Sequence, residues 1–321
     1  MRRFVSLGIA LLVSFAIIGC EQGPKVRYDE GNQQLHVMMG EDHFTTYLYD
    51  SNLMKPVLWP VHSVSGLRMQ RGFPVSENEG ETTDHRHHNG IFFTYGSDNE
   101  VNGNSYWSFH QKPPNIRHME FLTREGTQGE GTVEARLEWV GGDNSVVLEE
   151  YRTMVFGQTE NMRTIDFTFR LTPPDTSVTF RDTKEGMFAI RVADWLSEEH
   201  GNGEFLNSEG ERTEENVWGK RAKWMRLESM KNDTTSAGIV IMNHPSSVNY
   251  PTFWHARGYG LFAANPLGQY VFQDTRGVEN PDSLNFTIAQ GDTADFKFKM
   301  LIYEGSMTAE DIESEFQNYA P

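Results

Sequence analysis

The 321-residue chain carries a formal charge of -17, with 28 Lys and Arg against 45 Asp and Glu, and it has one cysteine. That balance argues against nucleic acid or an anionic membrane face as partners, and a single cysteine rules out an intrachain disulfide framework. Stability must come from a buried core, and a chain in which 12% of residues are aromatic can build one.

The N-terminus reads Met1-Arg2-Arg3, then an apolar run from Phe4 to Ile18, then Gly19-Cys20. A positive start, a stretch too short to span a bilayer comfortably and a small residue before a cysteine describe an export signal. Ile17-Ile18-Gly19 resembles a lipobox. Residues 1–19 are therefore read as a lipoprotein signal peptide, Cys20 as the lipidated residue, residues 20–27 as a tether and residues 28–321 as one β-sandwich domain. The expected location is periplasmic or on the cell surface, with the membrane contacted through the lipid anchor only. Loss of Arg2 and Arg3 takes the charge from -17 to -19.

Beyond the tether, two-residue alternation recurs over Gln34 to Met39, Thr132 to Val140, Ser145 to Phe156, Arg163 to Leu171, Gly238 to Met242 and Asp295 to Tyr303. In Thr164-Ile165-Asp166-Phe167-Thr168-Phe169 the apolar residues point one way and the polar residues the other, as in an antiparallel sheet with one face on a core. Turn signals such as Gly141-Gly142-Asp143-Asn144 separate the runs. The predicted fold is all-β, a large antiparallel β-sandwich. Residues 197–215, rich in Glu, Gly and Asn, read as a long loop. A short C-terminal helix follows from Thr308 as cap, Asp311 at the third helical position, and Ile312, Phe316 and Tyr319 on one face.

Two segments look chemical. Asp84-His85-Arg86-His87-His88-Asn89-Gly90 precedes the apolar run Ile91 to Tyr95. On an extended backbone His85 and His87 project to one side and His88 to the other. Such a pair can hold a transition metal with a third ligand from elsewhere, or supply a proton donor and a hydrogen-bonding group to a sugar hydroxyl. The second segment runs from Asn243-His244-Pro245 through Asn249-Tyr250-Pro251-Thr252-Phe253-Trp254-His255-Ala256-Arg257-Gly258-Tyr259-Gly260 to Asn265-Pro266. Its density of amide, imidazole, indole and guanidinium groups is that of a carbohydrate site, or of a loop whose aromatics plug the end of the sandwich. Between them, Lys184-Glu185 at a strand mouth reads as a carboxylate with a tuning charge or as a surface pair. Trp107 is a stacking platform or a buried indole, and Asp194 and Trp195 could line the same cavity.

These blocks resemble the bacterial PmoA-type family, whose label says "methane oxygenase". The resemblance rests on Asp84-His85-x-His87-His88, Val101-Asn102-Gly103 with Trp107, Lys184-Glu185-Gly186 before a strand carrying Arg191, and the block from His244-Pro245 to Asn265-Pro266. The usual pattern has Pro where this chain has Arg86, and often a basic residue at Asn89. The oxygenase label does not carry over to a hydrophilic β domain. What the resemblance implies is a fold similar to the galactose-mutarotase-like supersandwich, where a sugar lies across a concave sheet and is handled by His and a carboxylate.

The leading expectation is a carbohydrate ligand in one cleft, acted on by acid/base catalysis. His88, His244 and Glu185 are the candidate catalytic residues. His85, His87, Asn89, Tyr95, Trp107, Lys184, Arg191, Asn249, Trp254, His255, Arg257 and Asn265 are the candidate binding residues. No cofactor is required in that reading. The alternatives are a non-catalytic glycan-binding lipoprotein and an enzyme using a divalent metal on His85 and His87.

Overall fold

The computed structural model describes residues 23–107 and 112–321. The signal peptide and Cys20 lie outside the described residues. In chain order the strands are β1 (Val26–Gly31), β2 (Gln34–Met39), β3 (Asp42–Leu48), β4 (Val57–Val61), β5 (Ile91–Tyr95), β6 (Asn115–Gly126), β7 (Glu130–Val140), β8 (Val146–Gln158) and β9 (Met162–Thr172). They continue as β10 (Val178–Phe180), β11 (Gly186–Arg191), β12 (Glu204–Asn207), β13 (Trp224–Met230), β14 (Ser236–Asn243), β15 (Phe253–Ala256), β16 (Leu261–Asn265), β17 (Phe286–Ile288) and β18 (Ala294–Glu304). The helices are α1 (Thr213–Val217), α2 (Gln269–Thr275) and α3 (Ala309–Tyr319).

One eight-stranded sheet has the order β1-β2-β3-β4-β5-β11-β16-β15, and the other has β12-β13-β14-β18-β9-β8-β7-β6. Their pairings are antiparallel, as the alternating pattern required. The sheets face each other through aromatic rings. Phe93 of β5 stacks on Phe169 of β9 with centroids 3.9 Å apart, and Phe188 of β11 stacks on Phe298 of β18 at 4.8 Å. Truncating such a ring to Ala in a packed core costs about 3–5 kcal/mol.

Because strand side chains alternate, the residues between these core positions face outward. On β5, Ile91, Phe93 and Tyr95 are in the core, while Phe92 belongs to a second cluster with Trp107, Ala189, Leu261 and Ala263. That cluster is the outer face of the first sheet. On the other side α3 packs Ile312 and Phe316 over Trp224, Leu301 and Tyr303. Its start is the expected capping box between Thr308 and Asp311. Among the described residues no helix is long and apolar enough to cross a membrane.

Two boundaries differ from expectation. β1 opens at Val26, which is buried and pairs with Met39, so the sheet begins inside the segment read as tether. The supposed loop of residues 197–215 contains β12, which pairs with β13, and the start of α1. Four residues are too few to display alternation against an acidic background.

Candidate functional site

Asp84 to Gly90 forms a tight turn, not an extended strand. The His88 amide donates to the His85 carbonyl at 2.8 Å, and His85 itself has φ +40°, a left-handed conformation that non-glycine residues seldom adopt. Gly90, with φ +59°, closes the turn where a Cβ would lie 2.2 Å from the Leu58 carbonyl oxygen. The turn gathers all three imidazoles. Ring centroids are 5.8 Å apart for His85 and His87, 5.1 Å for His85 and His88, and 4.2 Å for His87 and His88. The extended geometry expected for this segment is thus overturned by two left-handed residues, which fold the chain back on itself.

Strained residues persist only when their surroundings hold them. Here the clamp is Arg71, whose side chain is fully buried. Its Nη2 donates to the Asp84 carbonyl at 2.8 Å, and its Nη1 to the Asp84 carboxylate. Arg191 Nη2 donates to the same carboxylate oxygen at 2.8 Å. The other oxygen of Asp84 accepts from His85 Nδ1. Lys55, also buried, donates from Nζ to the His87 carbonyl at 3.1 Å and lies over the Phe92 ring.

A cavity of about 300 Å³ opens over this turn, lined by His85, His87, His88, Ser97, Trp107, Lys184, Glu185, His255, Arg257 and Tyr259. The two histidine-bearing segments, separated by some 160 positions, therefore share one cavity. β15 and its exit supply the far wall. Trp254 and His255 are neighbours on a strand, so they face opposite sides: Trp254 is in the core, with its indole donating to the Ala222 carbonyl, and His255 faces the cavity. The ring of Tyr259 stacks on His85 with centroids 4.7 Å apart and planes at 4°. Arg257 pairs with Glu214 at 2.6 Å, and Lys184 pairs with Glu185.

Two partners fix two tautomers. The Trp218 indole N–H, which can only donate, bonds His255 Nδ1 at 3.0 Å, so neutral His255 carries its proton on Nε2. The ionised Asp84 can only accept from His85 Nδ1, so neutral His85 has a lone pair on Nε2. Burial opposes ionisation of Asp84, but the His85 bond and the Arg191 and Arg71 guanidiniums outweigh it and hold the carboxyl at about 2. Burial, then Lys55 and His85, push His87 down to about 4. Burial also takes His88 and His255 well below the ordinary imidazole range, with His87 and Lys184 respectively as the next cause. Burial alone lowers the Lys55 amine to about 7, and burial pushes the Tyr259 phenol up to about 12 against the pull of Arg191 and Arg257. His88 is 2% exposed, and neither of its ring nitrogens has a hydrogen-bond partner among the described residues. The Trp107 indole N–H is in the same position.

Several candidate residues are elsewhere. His244, expected to be catalytic, bonds Ser246 through Nδ1 and packs its ring on Tyr319 of α3, because β14 ends on the second sheet. Tyr95 is in the core, its hydroxyl bonded to carbonyls of Arg181 and Leu267. Asn265 is buried and spends its amide on the Thr183 carbonyl and the Leu267 amide. Asn249 donates to the Pro266 carbonyl and accepts from Arg221. Asn89 is buried outside the cavity lining, and Arg191 sits behind Tyr259, its guanidinium carbon 4.7 Å from the ring centroid. Asp194 bonds the Thr82 amide and hydroxyl, and Trp195 packs on the main core. In His244, Tyr95, Asn265, Asn249 and Asp194 the polar group is engaged by the protein's own backbone or neighbours, away from the cavity.

Sequence reasoning missed Tyr259 as a lining residue, together with Ser97, Lys55, Arg71 and Trp218. For Tyr259 a signal existed: His255, Arg257 and Tyr259 are spaced by two, and all three line the cavity. Among the described residues no group of three His, Cys, Asp or Glu is arranged to hold a metal ion.

Residues 34–317 match the model of a family of unknown function, DUF6807. No curated protein matches the sequence. Similar solved structures include the galactosidase domain of the α-galactosidase-sucrose kinase AgaSK, at 11% identity and TM-score 0.45 over 87% of this chain and 41% of that one. An α-galactosidase from Geobacillus stearothermophilus matches at 12% identity and TM-score 0.40 over 87% of this chain and 41% of that one. The galactose 1-epimerase of Lactobacillus acidophilus matches at 10% identity and TM-score 0.42, over 88% of this chain and 100% of that one. The chain spans about two fifths of the length of the α-galactosidases. These likenesses concern strand architecture, and no chemistry transfers at that level.

Proposed function

This chain belongs to the DUF6807 family of unknown function, and on that premise we propose that its cavity binds a sugar and moves protons on it. His85 is the base and His255 the donor. One observation carries the reading: two imidazoles of one cavity are held in opposite tautomers, a lone pair on Nε2 of His85 and a proton on Nε2 of His255. A fixed acceptor and a fixed donor are what general acid/base chemistry on a hydroxyl-bearing substrate needs. The Asp84–His85 pair orients and polarises the ring as a carboxylate does for a catalytic histidine.

A sugar suits the remaining groups. At about 300 Å³ the cavity is at the small end of ligand sites and admits one or two rings. The unspent nitrogens of His88 and the Trp107 N–H call for a ligand dense in hydroxyls, and the indole supplies an apolar surface for its C–H side. Glu185, paired with Lys184, accepts from a hydroxyl. The resemblance of the same blocks to the PmoA-type family supports a carbohydrate setting. We place the protein at a membrane surface through a lipid on Cys20, on the strength of the apolar run and Gly19-Cys20.

The test is a panel of mono- and oligosaccharides offered to the purified mature chain, with binding by calorimetry and products by mass spectrometry. His85→Ala is expected to lower turnover by about 10²–10⁴-fold with the fold intact. A sugar that binds and is recovered unchanged contradicts the catalytic part, and a panel without binders contradicts the whole. For the anchor, Cys20→Ser is expected to release the protein from the membrane fraction; unchanged membrane retention contradicts it.

A further inference from the structure

We propose that the ligand of this cavity is an anionic sugar, one bearing a carboxylate or a sulfate ester; this rests on the sugar reading above and narrows its substrate class. The first support is a local reversal of charge. The chain as a whole stands at -17. Yet the charged groups that line the cavity or touch its lining are Lys55, Arg71, Lys184, Arg191 and Arg257 against Asp84, Glu185 and Glu214. Arg71 and Arg191, both with wholly buried side chains, share the single carboxylate of Asp84. Lys55 is bonded to a carbonyl, and among the described residues no carboxylate pairs with it. One guanidinium is therefore left in excess, and the Lys55 amine, brought to about 7 by burial, adds part of a second positive charge, beside a protein surface of the opposite sign. At physiological salt the screening length is about 8 Å, so inside the cavity these near charges outweigh the distant acidic surface.

The second support is where the unspent donors lie. Of the buried donors without partners, Nε1 of Trp107 is in the lining, while Nε and Nη1 of Arg191 and Nε of Arg71 lie behind the wall on guanidiniums that a ligand does not touch. His88 can act either way. The buried oxygens without partners are elsewhere in the body, namely Thr45 on β3 and Tyr106 against Trp139 in the core. A neutral sugar brings donors and acceptors in equal supply, whereas a carboxylate or sulfate brings acceptors alone. A donor in the lining, with the positive potential of the guanidiniums behind it, is matched by the second kind of ligand.

The experiment compares matched pairs on the full mature chain by calorimetry: galactose with galacturonate, glucose with glucuronate, and galactose with galactose 6-sulfate. The acidic member is expected to bind at least tenfold more tightly, and the preference to shrink as salt is raised. Preference for the uronates over the sulfate, or the reverse, identifies the anionic group. Lys184→Gln, at a partly exposed side chain, is expected to reduce the preference several-fold, and Lys184→Arg to restore it. Equal binding of neutral and acidic members overturns this inference and leaves the sugar reading standing. Binding of acetate or sulfate with no sugar bound keeps the anion preference and overturns the sugar, and an absence of all binding overturns both.

Discussion

Two groups of histidines sit on the outer face of the first sheet, and they differ in what their nitrogens are doing. His36 on β2, His43 on β3 and His62 just beyond β4 are as close as the cavity histidines, with centroids 5.8 and 5.3 Å apart. But His43 spends both ring nitrogens, Nε2 on the Thr46 hydroxyl at 2.8 Å and Nδ1 facing His62 Nδ1 at 3.2 Å. His36 Nδ1 bonds the same hydroxyl at 2.8 Å. Burial and the neighbouring imidazoles take His43 to about 4, the same level as His87 in the cavity. Clustering and lowered basicity are thus common to both groups. What sets the cavity apart is buried hydrogen-bonding capacity left unspent, at both nitrogens of His88 and at the Trp107 indole.

The largest contrast is expected in turnover. His85→Ala should lose about 10²–10⁴-fold in kcat/KM, whereas His43→Ala should stay within twofold of the parent. Equal losses in the two variants would erase the distinction. Next comes the support beneath the turn. Asp84→Asn leaves Arg71 and Arg191 buried without their carboxylate and should cost about 2–4 kcal/mol in urea unfolding, discounted because Asp84 itself is partly exposed. Since its folded pKa lies below the ordinary carboxylate value, the stability contributed by Asp84 is present above about 4 and is lost as pH falls toward 2.

Lys55 should show the opposite sign. Its amine titrates at about 7 in the folded protein against 10.5 unfolded, so across that window the unfolded chain holds the extra proton and stability rises with pH. Lys55→Met is expected to be more stable than the parent by about 1–3 kcal/mol near pH 6, with the gain fading as pH approaches 10. A destabilised variant near pH 6 would contradict the view that this cation is kept for binding at the expense of stability. The smallest effect belongs to His244→Ala, expected to leave turnover unchanged and to cost under about 1 kcal/mol through lost packing on Tyr319.

The sheets were legible because alternation is a local signal: Ile165, Phe167 and Phe169 face the core as their spacing demanded, and Thr308 with Asp311 caps the last helix. The cavity was legible only where chemistry and spacing coincided, at His85, His87, His88 and Trp107, at Lys184 and Glu185, and at His255 and Arg257. Trp254 and Asn265 failed because composition was weighed without asking which face a strand presents. His244 failed because the loop after β14 leaves from the second sheet while His255 lies on the first, a fact of topology. Lys55, Arg71 and Trp218 carry no motif, and they reach the site only through pairings between distant strands and turns.

The most direct test is long-range proton–nitrogen NMR of histidine-labelled protein near pH 7, recorded without and with an acidic sugar. The account predicts a proton on Nδ1 of His85 and on Nε2 of His255. It predicts that the ligand moves the signals of His85, His88 and His255 while those of His36, His43, His62 and His244 stay in place. A shared tautomer for His85 and His255, or ligand shifts confined to the His43 group, would contradict it.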